Sequence, residues 1–192
     1  MQRITSWFKR KLLRDRQALW NHQYASGRWD CLHAPVEDPR FDATVTLLRR
    51  HAPAADVLEV GCGEALLQRR LSRQDYRSWF GIDVSDLAIA SARLHAGPGV
   101  EYHTADMDSF EPPRSFDVLV FAESLYYSRD CTALLRRYLP HLRSGGILIA
   151  SMFDGRRSAQ TWSCLHQLAQ PIDCLATRNE AGIWRCEALR AV

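Results

Sequence analysis

The sequence lacks the features that mark membrane-embedded, secreted or metal-binding proteins. None of its apolar runs approaches the roughly 20 residues that cross a bilayer. The basic N-terminus has no continuous apolar stretch or cleavage site of a secretory signal, so we expect a cytoplasmic protein. The six cysteines are scattered without a Cys-x-x-Cys pair, which indicates reduced thiols and no metal site.

Lysine is absent after Lys11, and this absence restricts the chemistry of the core. Neither a Schiff base nor a lysine general base is available beyond that point. The net charge of +3 is too small to indicate nucleic-acid binding. Cations concentrate in residues 3–16, among Ile4, Phe8 and Leu12. This basic segment fits either contact with a membrane surface or partner, or a terminal helix that docks its aromatics on the domain.

Short apolar runs alternate with helical patterns from Asp56 onward. Strands are predicted at 57–60, 79–83, 100–103, 116–121 and 147–150. Helices are predicted at 41–51, from just after Gly63 through Leu71, after Ser85, at 131–142 and at 158–168. Strands that are apolar on both sides indicate a parallel sheet covered on both faces, and therefore a Rossmann-like, doubly wound α/β fold. A C-terminal hairpin of residues 172–177 and 184–189 adds an antiparallel last strand, which makes about seven strands.

The turn after the first strand, Glu59-Val60-Gly61-Cys62-Gly63-Glu64-Ala65, carries the first chemical signal. Its glycines let the backbone bend sharply and approach a ligand, because no Cβ intervenes. A nicotinamide-binding turn needs Gly-x-Gly-x-x-Gly, and Leu66 stands at the last position of that pattern. Glu64, in the first turn of the predicted helix, would oppose a phosphate but tolerate a ligand with a cationic centre.

This turn resembles the first motif of class I S-adenosylmethionine-dependent methyltransferases, with Ala65 in place of the last glycine of the motif. The resemblance spans about residues 41–192, and residues 1–40 are expected to form a helical lid segment. It implies S-adenosylmethionine as cofactor and S-adenosylhomocysteine as product. It also implies cofactor contacts by four residues of the turn: Glu59, Gly61, Cys62 and Gly63.

Two further acids match the family after the second and third strands. Asp83, followed by Val84, stands where the family's acid holds both ribose hydroxyls, although an aspartate there is also a common helix cap. Asp106 matches the acid that meets the adenine amino group, and Met107 matches the residue that packs on the adenine ring.

The end of the fourth strand should face the methionine end of the cofactor and the methyl acceptor. Glu123 is predicted to attract the sulfonium or to accept a proton from an amine, with His103 beyond it as a second candidate base. Tyr126 and Tyr127 either build an aromatic wall there or pack under the following helix.

Two stretches, residues 20–30 and 123–127, resemble nodulation N-methyltransferases, which act on chitooligosaccharide amines. This resemblance implies an aromatic lid over the cofactor, with Tyr24 and Trp29 as candidates, unless these aromatics only staple the first helix to the core. We therefore expect methyl transfer to a small-molecule or saccharide amine. The alternatives are an O-methyltransferase and a methyltransferase-like binding subunit without catalysis.

Overall fold

The computed structural model of the chain describes residues 16–192. Within this range the α-helices are α1 at 16–25, α2 at Asp38–His51, α3 at Asp86–Arg93, α4 at Cys131–Tyr138 and α5 at Arg156–Leu165. Short 3-10 helices lie at Asp30–His33, Pro35–Glu37, Gln68–Arg70, Leu125–Tyr127 and Leu139–His141. The predicted basic segment 3–16 lies outside the described residues except for its last position. None of the described helices is long and apolar enough to cross a membrane.

Local sequence signals explain where several helices begin. The side chain of Ser85 accepts a hydrogen bond from the N–H of Ala88 at 3.2 Å and caps α3, as predicted. Asp130 caps α4 in the same way, accepting from the N–H of Ala133 at 2.9 Å. Helix α2 begins earlier than predicted, because Pro39 is compatible with its first turn.

Seven strands form one sheet, and its topology places the loops that matter below. The strands are β1 Ala55–Val60, β2 Tyr76–Asp83, β3 Val100–Thr104, β4 Phe116–Ala122, β5 Leu142–Phe153, β6 Ala169–Asn179 and β7 Gly182–Ala191, in the order β3-β2-β1-β4-β5-β7-β6. Neighbours from β3 to β5 are parallel, whereas β7 is antiparallel to both β5 and β6. The predicted Rossmann-like mixed sheet with an antiparallel last strand is confirmed.

Both faces of the sheet are covered. Val57 and Leu58 are consecutive in β1, point to opposite faces, and are both fully buried. Val57 belongs to a core cluster with residues of α2 and α3, and Leu58 to one with residues of α4 and α5. This double coverage is why the central strands read as continuous apolar runs in the sequence.

The helix predicted from just after Gly63 through Leu71 is wrong. Residues 63–67 form turns, and only Gln68–Arg70 adopt a short 3-10 helix. Ala65 has a left-handed φ of 63°, which prevents a regular helix from starting in the glycine turn. Glu64 therefore does not stand in the first turn of a helix, and its Oε2 lies 2.9 Å from Nε2 of His33 instead.

The C-terminal hairpin has longer strands than predicted. Strands β6 and β7 pair from Ala169 opposite Ala191 to Asn179 opposite Gly182. The side-chain oxygen of Asn179 accepts hydrogen bonds from the backbone N–H groups of Ala181 and Gly182, at 2.8 and 3.2 Å, which closes the turn.

Candidate active site

The strand order reverses between β1 and β4, so the loops that follow these strands leave toward opposite faces and open a crevice at the carboxyl edge of the sheet. Two adjoining cavities occupy this crevice. The large cavity has a volume of about 360 Å³ and the small cavity about 60 Å³. Their walls share Gly61, Glu123 and Tyr127. The two cavities therefore adjoin each other where the loops after β1 and β4 meet.

The glycine turn is held tightly between its neighbours. Gly61 has a φ of 78°, and its N–H donates to the carbonyl of Ile82 at 2.8 Å. A Cβ on Gly61 would stand only 2.4 Å from the Cβ of Ser124. The Ser124 hydroxyl in turn donates to the carbonyl of Val60. Only glycine combines this backbone conformation with this contact, which brings β1 and the loop after β4 together.

Asp83 lies at the end of β2, in the wall of the small cavity. Its Oδ2 accepts a hydrogen bond from the N–H of Gly63 at 3.0 Å, and its Oδ1 accepts from the N–H of Ser85 at 2.9 Å. Burial raises the pKa of this carboxyl, while the N–H groups of Ser85 and Gly63 oppose that shift. The cap of α3 is Ser85, so the helix-capping alternative for Asp83 has no support in the geometry.

Glu123 lies between the two cavities with one carboxylate oxygen free. It follows β4 in a left-handed conformation with a φ of 59°, and its N–H donates to the carbonyl of Ser151 at 2.8 Å. Its Oε2 accepts a hydrogen bond from the Tyr126 hydroxyl at 2.7 Å. Its Oε1 is buried and has no hydrogen-bond partner in residues 16–192. Burial raises the pKa of Glu123, with the Tyr126 hydroxyl acting against that shift.

A second buried acid, Glu59, lines the large cavity from the end of β1. Its Oε2 accepts from the indole N–H of Trp79 at 3.1 Å, and burial raises its pKa to about 8. The neighbouring Cys62 also lines the cavity, where burial raises the pKa of its thiol and makes it a poor nucleophile.

The predicted aromatic residues all line the large cavity. They are Tyr24, Trp29, Tyr126 and Tyr127. Trp29 stacks on Trp20 with 5.5 Å between ring centroids, and Trp20 meets Tyr127 edge to face at 4.9 Å. The Tyr24 hydroxyl approaches the glycine turn so closely that a Cβ on Gly63 would lie 2.9 Å from it. The segment before α2 therefore packs directly over the site.

Three further predicted cofactor contacts line the small cavity: Val84, which follows Asp83, and the adenine-side residues Asp106 and Met107. Asp106 is already occupied by other groups. Its Oδ1 lies 3.2 Å from Nη1 of Arg16, and its Oδ2 lies 3.4 Å from Nη2 of Arg129.

His103 is the one predicted site residue that lies apart from both cavities. It projects from β3 with its ring stacked on Phe80 at 4.5 Å, and its Nε2 is 3.4 Å from Glu101. Its side chain is 46% exposed. Its predicted role as a base therefore loses its geometric basis, because residues near the end of a parallel strand can still point away from the crevice.

The sequence reasoning missed a buried ion pair in the large cavity. Arg40 is 5% exposed, its Nε donates to Glu37 at 2.5 Å, and its guanidinium lies 4.0 Å above the ring of Phe41. All three residues line the cavity. The sequence shows only an arginine directly before an apolar residue near the start of α2. Solvent-exposed arginines occur at such positions too, so this pattern does not predict a buried ion pair.

Residues 57–146 match the family model described as a methyltransferase domain. A ubiquinone biosynthesis O-methyltransferase from Paramagnetospirillum magneticum is 31% identical over 60% of this chain and 47% of the relative. Nodulation protein S from Bradyrhizobium diazoefficiens is 33% identical over 53% of this chain and 49% of the relative. The chain thus spans about half the length of these curated relatives.

Solved structures share the fold over more of the chain. The N-methyltransferase NodS from Bradyrhizobium japonicum, in complex with S-adenosyl-L-homocysteine, has a TM-score of 0.73 at 20% identity, covering 85% of this chain and 91% of that chain. The magnesium protoporphyrin IX methyltransferase from Synechocystis, with S-adenosylmethionine bound, has a TM-score of 0.76 at 16% identity, covering 93% and 97%. Residues 57–146 therefore match a methyltransferase domain, and most of the chain shares the fold of these two solved methyltransferases.

Proposed function

We propose that this chain transfers the methyl group of S-adenosylmethionine to a nitrogen of a small-molecule or saccharide amine. The observation that carries the proposal is Oε1 of Glu123, which is buried between the two cavities without a partner in the described chain. A buried polar atom without a partner is costly unless a bound group completes it. A sulfonium and an amine proton both meet that need.

The residues around the two cavities fit S-adenosylmethionine, which supplies a methyl group already attached to a good leaving group. Asp83 would accept hydrogen bonds from the ribose hydroxyls. Glu59, with its pKa of about 8, would ionise against the ammonium group of the cofactor. Arg40 in the same cavity would pair with the cofactor carboxylate. Asp106 and Met107 are assigned to the adenine.

Glu123 is the proton acceptor in this proposal. An amine acceptor arrives protonated near neutral pH and must lose that proton before its lone pair can attack. Burial raises the pKa of Glu123 toward the range in which a carboxylate works as a general base. The Tyr126 hydroxyl binds Oε2 and so leaves Oε1 free for the acceptor. The surrounding aromatic side chains exclude water, which strengthens both interactions.

Transfer to an oxygen is the second candidate, and the ubiquinone biosynthesis O-methyltransferase relatives favour it. A phenolic hydroxyl has a pKa of about 10, so a carboxylate with a raised pKa can take up its proton as the attack develops. Both candidates use the same base and differ only in the acceptor atom.

The proposal also includes a lid segment and a small methyl acceptor. Residues 1–40 are assigned as a lid over the domain of residues 41–192, and the support is that Tyr24 and Trp29 line the large cavity. The cavity volume of about 360 Å³ lies within the range of small-molecule sites. The proposed partner is thus a small molecule rather than a nucleic acid, and the proposed compartment is the cytoplasm.

Transfer of tritium-labelled methyl groups tests the proposal. Purified protein is incubated with labelled S-adenosylmethionine and, in parallel, with a chitosan oligomer, its fully N-acetylated counterpart and catechol. We expect label in the free-amine oligomer and none in the acetylated control. Glu123→Gln should lower the transfer rate by about 100-fold or more, because the proton acceptor is lost.

The remaining outcomes select between the alternatives. Label in catechol alone would select transfer to oxygen. If calorimetry detects no heat on titration with S-adenosylhomocysteine, methyl transfer is rejected and a non-catalytic binding subunit is favoured.

A further inference from the structure

Arg16, the first described residue of α1, places its guanidinium in the wall of the small cavity. Its Nη1 lies 2.6 Å from Oδ2 of Asp108 and 3.2 Å from Oδ1 of Asp106, and its Nη2 donates to the carbonyl of Tyr127 at 2.6 Å. The Arg16 side chain is 14% exposed. Three separate acceptors therefore hold one largely buried cation at the adenine end of the site.

These contacts engage both carboxylate oxygens of Asp106. Oδ1 accepts from the N–H of Asp108 at 2.9 Å in addition to Arg16, and Oδ2 faces Arg129. The Asp106 side chain is only 2% exposed. The small cavity has a volume of only about 60 Å³. An adenine amino group can reach Asp106 only after a guanidinium has moved away.

The rest of α1 is anchored independently of Arg16. The side-chain amide of Asn21 donates to Asp86 at 2.6 Å and accepts from the Ser85 hydroxyl at 2.8 Å. Trp20 packs on Tyr127. The helix can therefore stay docked while the Arg16 side chain rotates out, because the anchor lies more than one helical turn further along.

We propose that Arg16 is an autoinhibitory latch, which occupies the adenine-binding carboxylate Asp106 and must be displaced when the cofactor binds. This inference rests on the proposed cofactor site. The latch competes with the ligand for a single acceptor, so cofactor affinity is lower than the site alone would provide. Salt should weaken this ion pair, but less than it would an exposed pair, because the Arg16 side chain is only 14% exposed.

Calorimetric titration with S-adenosylhomocysteine, and with adenosine as a probe of the adenine end, tests the latch. We expect Arg16→Gln to bind both ligands roughly fivefold more tightly than the wild type. Arg129→Gln is the matched control, because Arg129 contacts the same carboxylate at 3.4 Å from a half-exposed position. Arg129→Gln should increase the affinity for both ligands less than Arg16→Gln does. Thermal unfolding of each variant checks that the fold is retained.

A measurement on the unmodified chain does not depend on how the variant folds. Raising the salt concentration from about 0.01 M to about 0.5 M should tighten adenosine binding to the wild type. If Arg16→Gln binds S-adenosylhomocysteine equally or more weakly at an unchanged melting temperature, the latch is overturned while the proposed function stands. If neither protein binds either ligand at any salt concentration, the proposed function fails and the latch with it.

Discussion

The acids at the two ends of the sheet differ in how many of them pair with an arginine. At the amino end, Oδ2 of Asp56 lies 2.7 Å from Nη1 of Arg143 and 2.9 Å from Nη1 of Arg77, and Oδ1 of Asp117 lies 2.9 Å from the same Arg143 atom. At the carboxyl end, Asp106 pairs with Arg16 and Arg129. Three other acids that line the cavities have no cation within ion-pair distance in the described part of the chain: Glu59, Asp83 and Glu123.

The pKa values follow this difference. Burial opposes ionisation of Asp56, but hydrogen bonds from Arg143 and Ser78 outweigh it and hold the pKa below its usual range. Burial instead raises the pKa of Glu59 and Glu123, because it outweighs the hydrogen bonds from Trp79 and Tyr126 and, for Glu123, the charge of Arg40. Paired acids join elements of the fold, whereas unpaired buried acids reduce stability and are typical of sites that a ligand completes.

The largest expected effect comes from comparing two glycines, one toward each end of the sheet, that share the same backbone conformation. Gly61 and Gly145 both have a φ of 78°, but a Cβ on Gly61 meets Ser124 at 2.4 Å, whereas a Cβ on Gly145 meets nothing within 4 Å. Gly145→Ala should cost only the left-handed strain of about 1–2 kcal/mol and leave S-adenosylhomocysteine binding intact. Gly61→Ala should cost more and abolish binding, as measured by denaturant unfolding and calorimetry. Equal effects would show that the close approach at Gly61 is unimportant.

Replacing one aspartate at each end of the sheet distinguishes residues that bind the cofactor from residues that stabilise the fold. Asp83→Asn should weaken S-adenosylhomocysteine binding by roughly 100-fold, because hydrogen bonds to a charged acceptor become bonds to a neutral amide. Asp117→Asn at the opposite end should lower the melting temperature with little change in affinity. Comparable losses of affinity in both variants would contradict the assignment of Asp83 to the ribose.

Two ligands that differ in charge at sulfur can test the role of Glu123 in the absence of a methyl acceptor. S-adenosylmethionine carries a sulfonium there, whereas S-adenosylhomocysteine is neutral at sulfur. Glu123→Gln should therefore weaken S-adenosylmethionine binding by about tenfold and leave S-adenosylhomocysteine binding nearly unchanged. The exposed Glu101→Gln is the control, with no expected change for either ligand. A parallel loss for both ligands would place Glu123 away from the sulfonium.

The smallest expected effect is a difference in how stability depends on pH. The pKa of Glu59 rises from 4.5 to about 8 on folding, so the folded state binds more protons and stability falls as the pH rises through that window. The pKa of Asp56 is lowered below 3.8, so its contribution is present above that pH and is lost as the pH falls.

Melting temperatures between about pH 3 and pH 9 check both signs. Glu59→Gln should reduce, by a few degrees, the fall in melting temperature as the pH rises from 4.5 to about 8. Asp56→Asn should change the melting temperature only at acid pH. An unchanged alkaline slope in Glu59→Gln would show that Glu59 is not the titrating group.

The strands, the antiparallel hairpin and the glycine turn could all be predicted from the sequence. Apolar runs, turn residues and glycines act over a few residues, so their pattern is legible without the fold. The resemblance to the family's motifs nominated Asp83 and Asp106, and the position after the fourth strand nominated Glu123. The ends of parallel strands meet at one edge of a sheet, so these three residues were expected to lie near one another.

Which side chains reach the crevice depends on how the elements pack in three dimensions and could not be predicted. His103 turns outward onto Phe80, and the left-handed Ala65 removes a helix that the apolar period predicted. Arg16 and Arg40 enter the cavities from segments that precede the motifs, at sequence separations that no local pattern encodes. Arginine side chains are long and flexible, so the groups that they contact depend on how the elements pack rather than on sequence period.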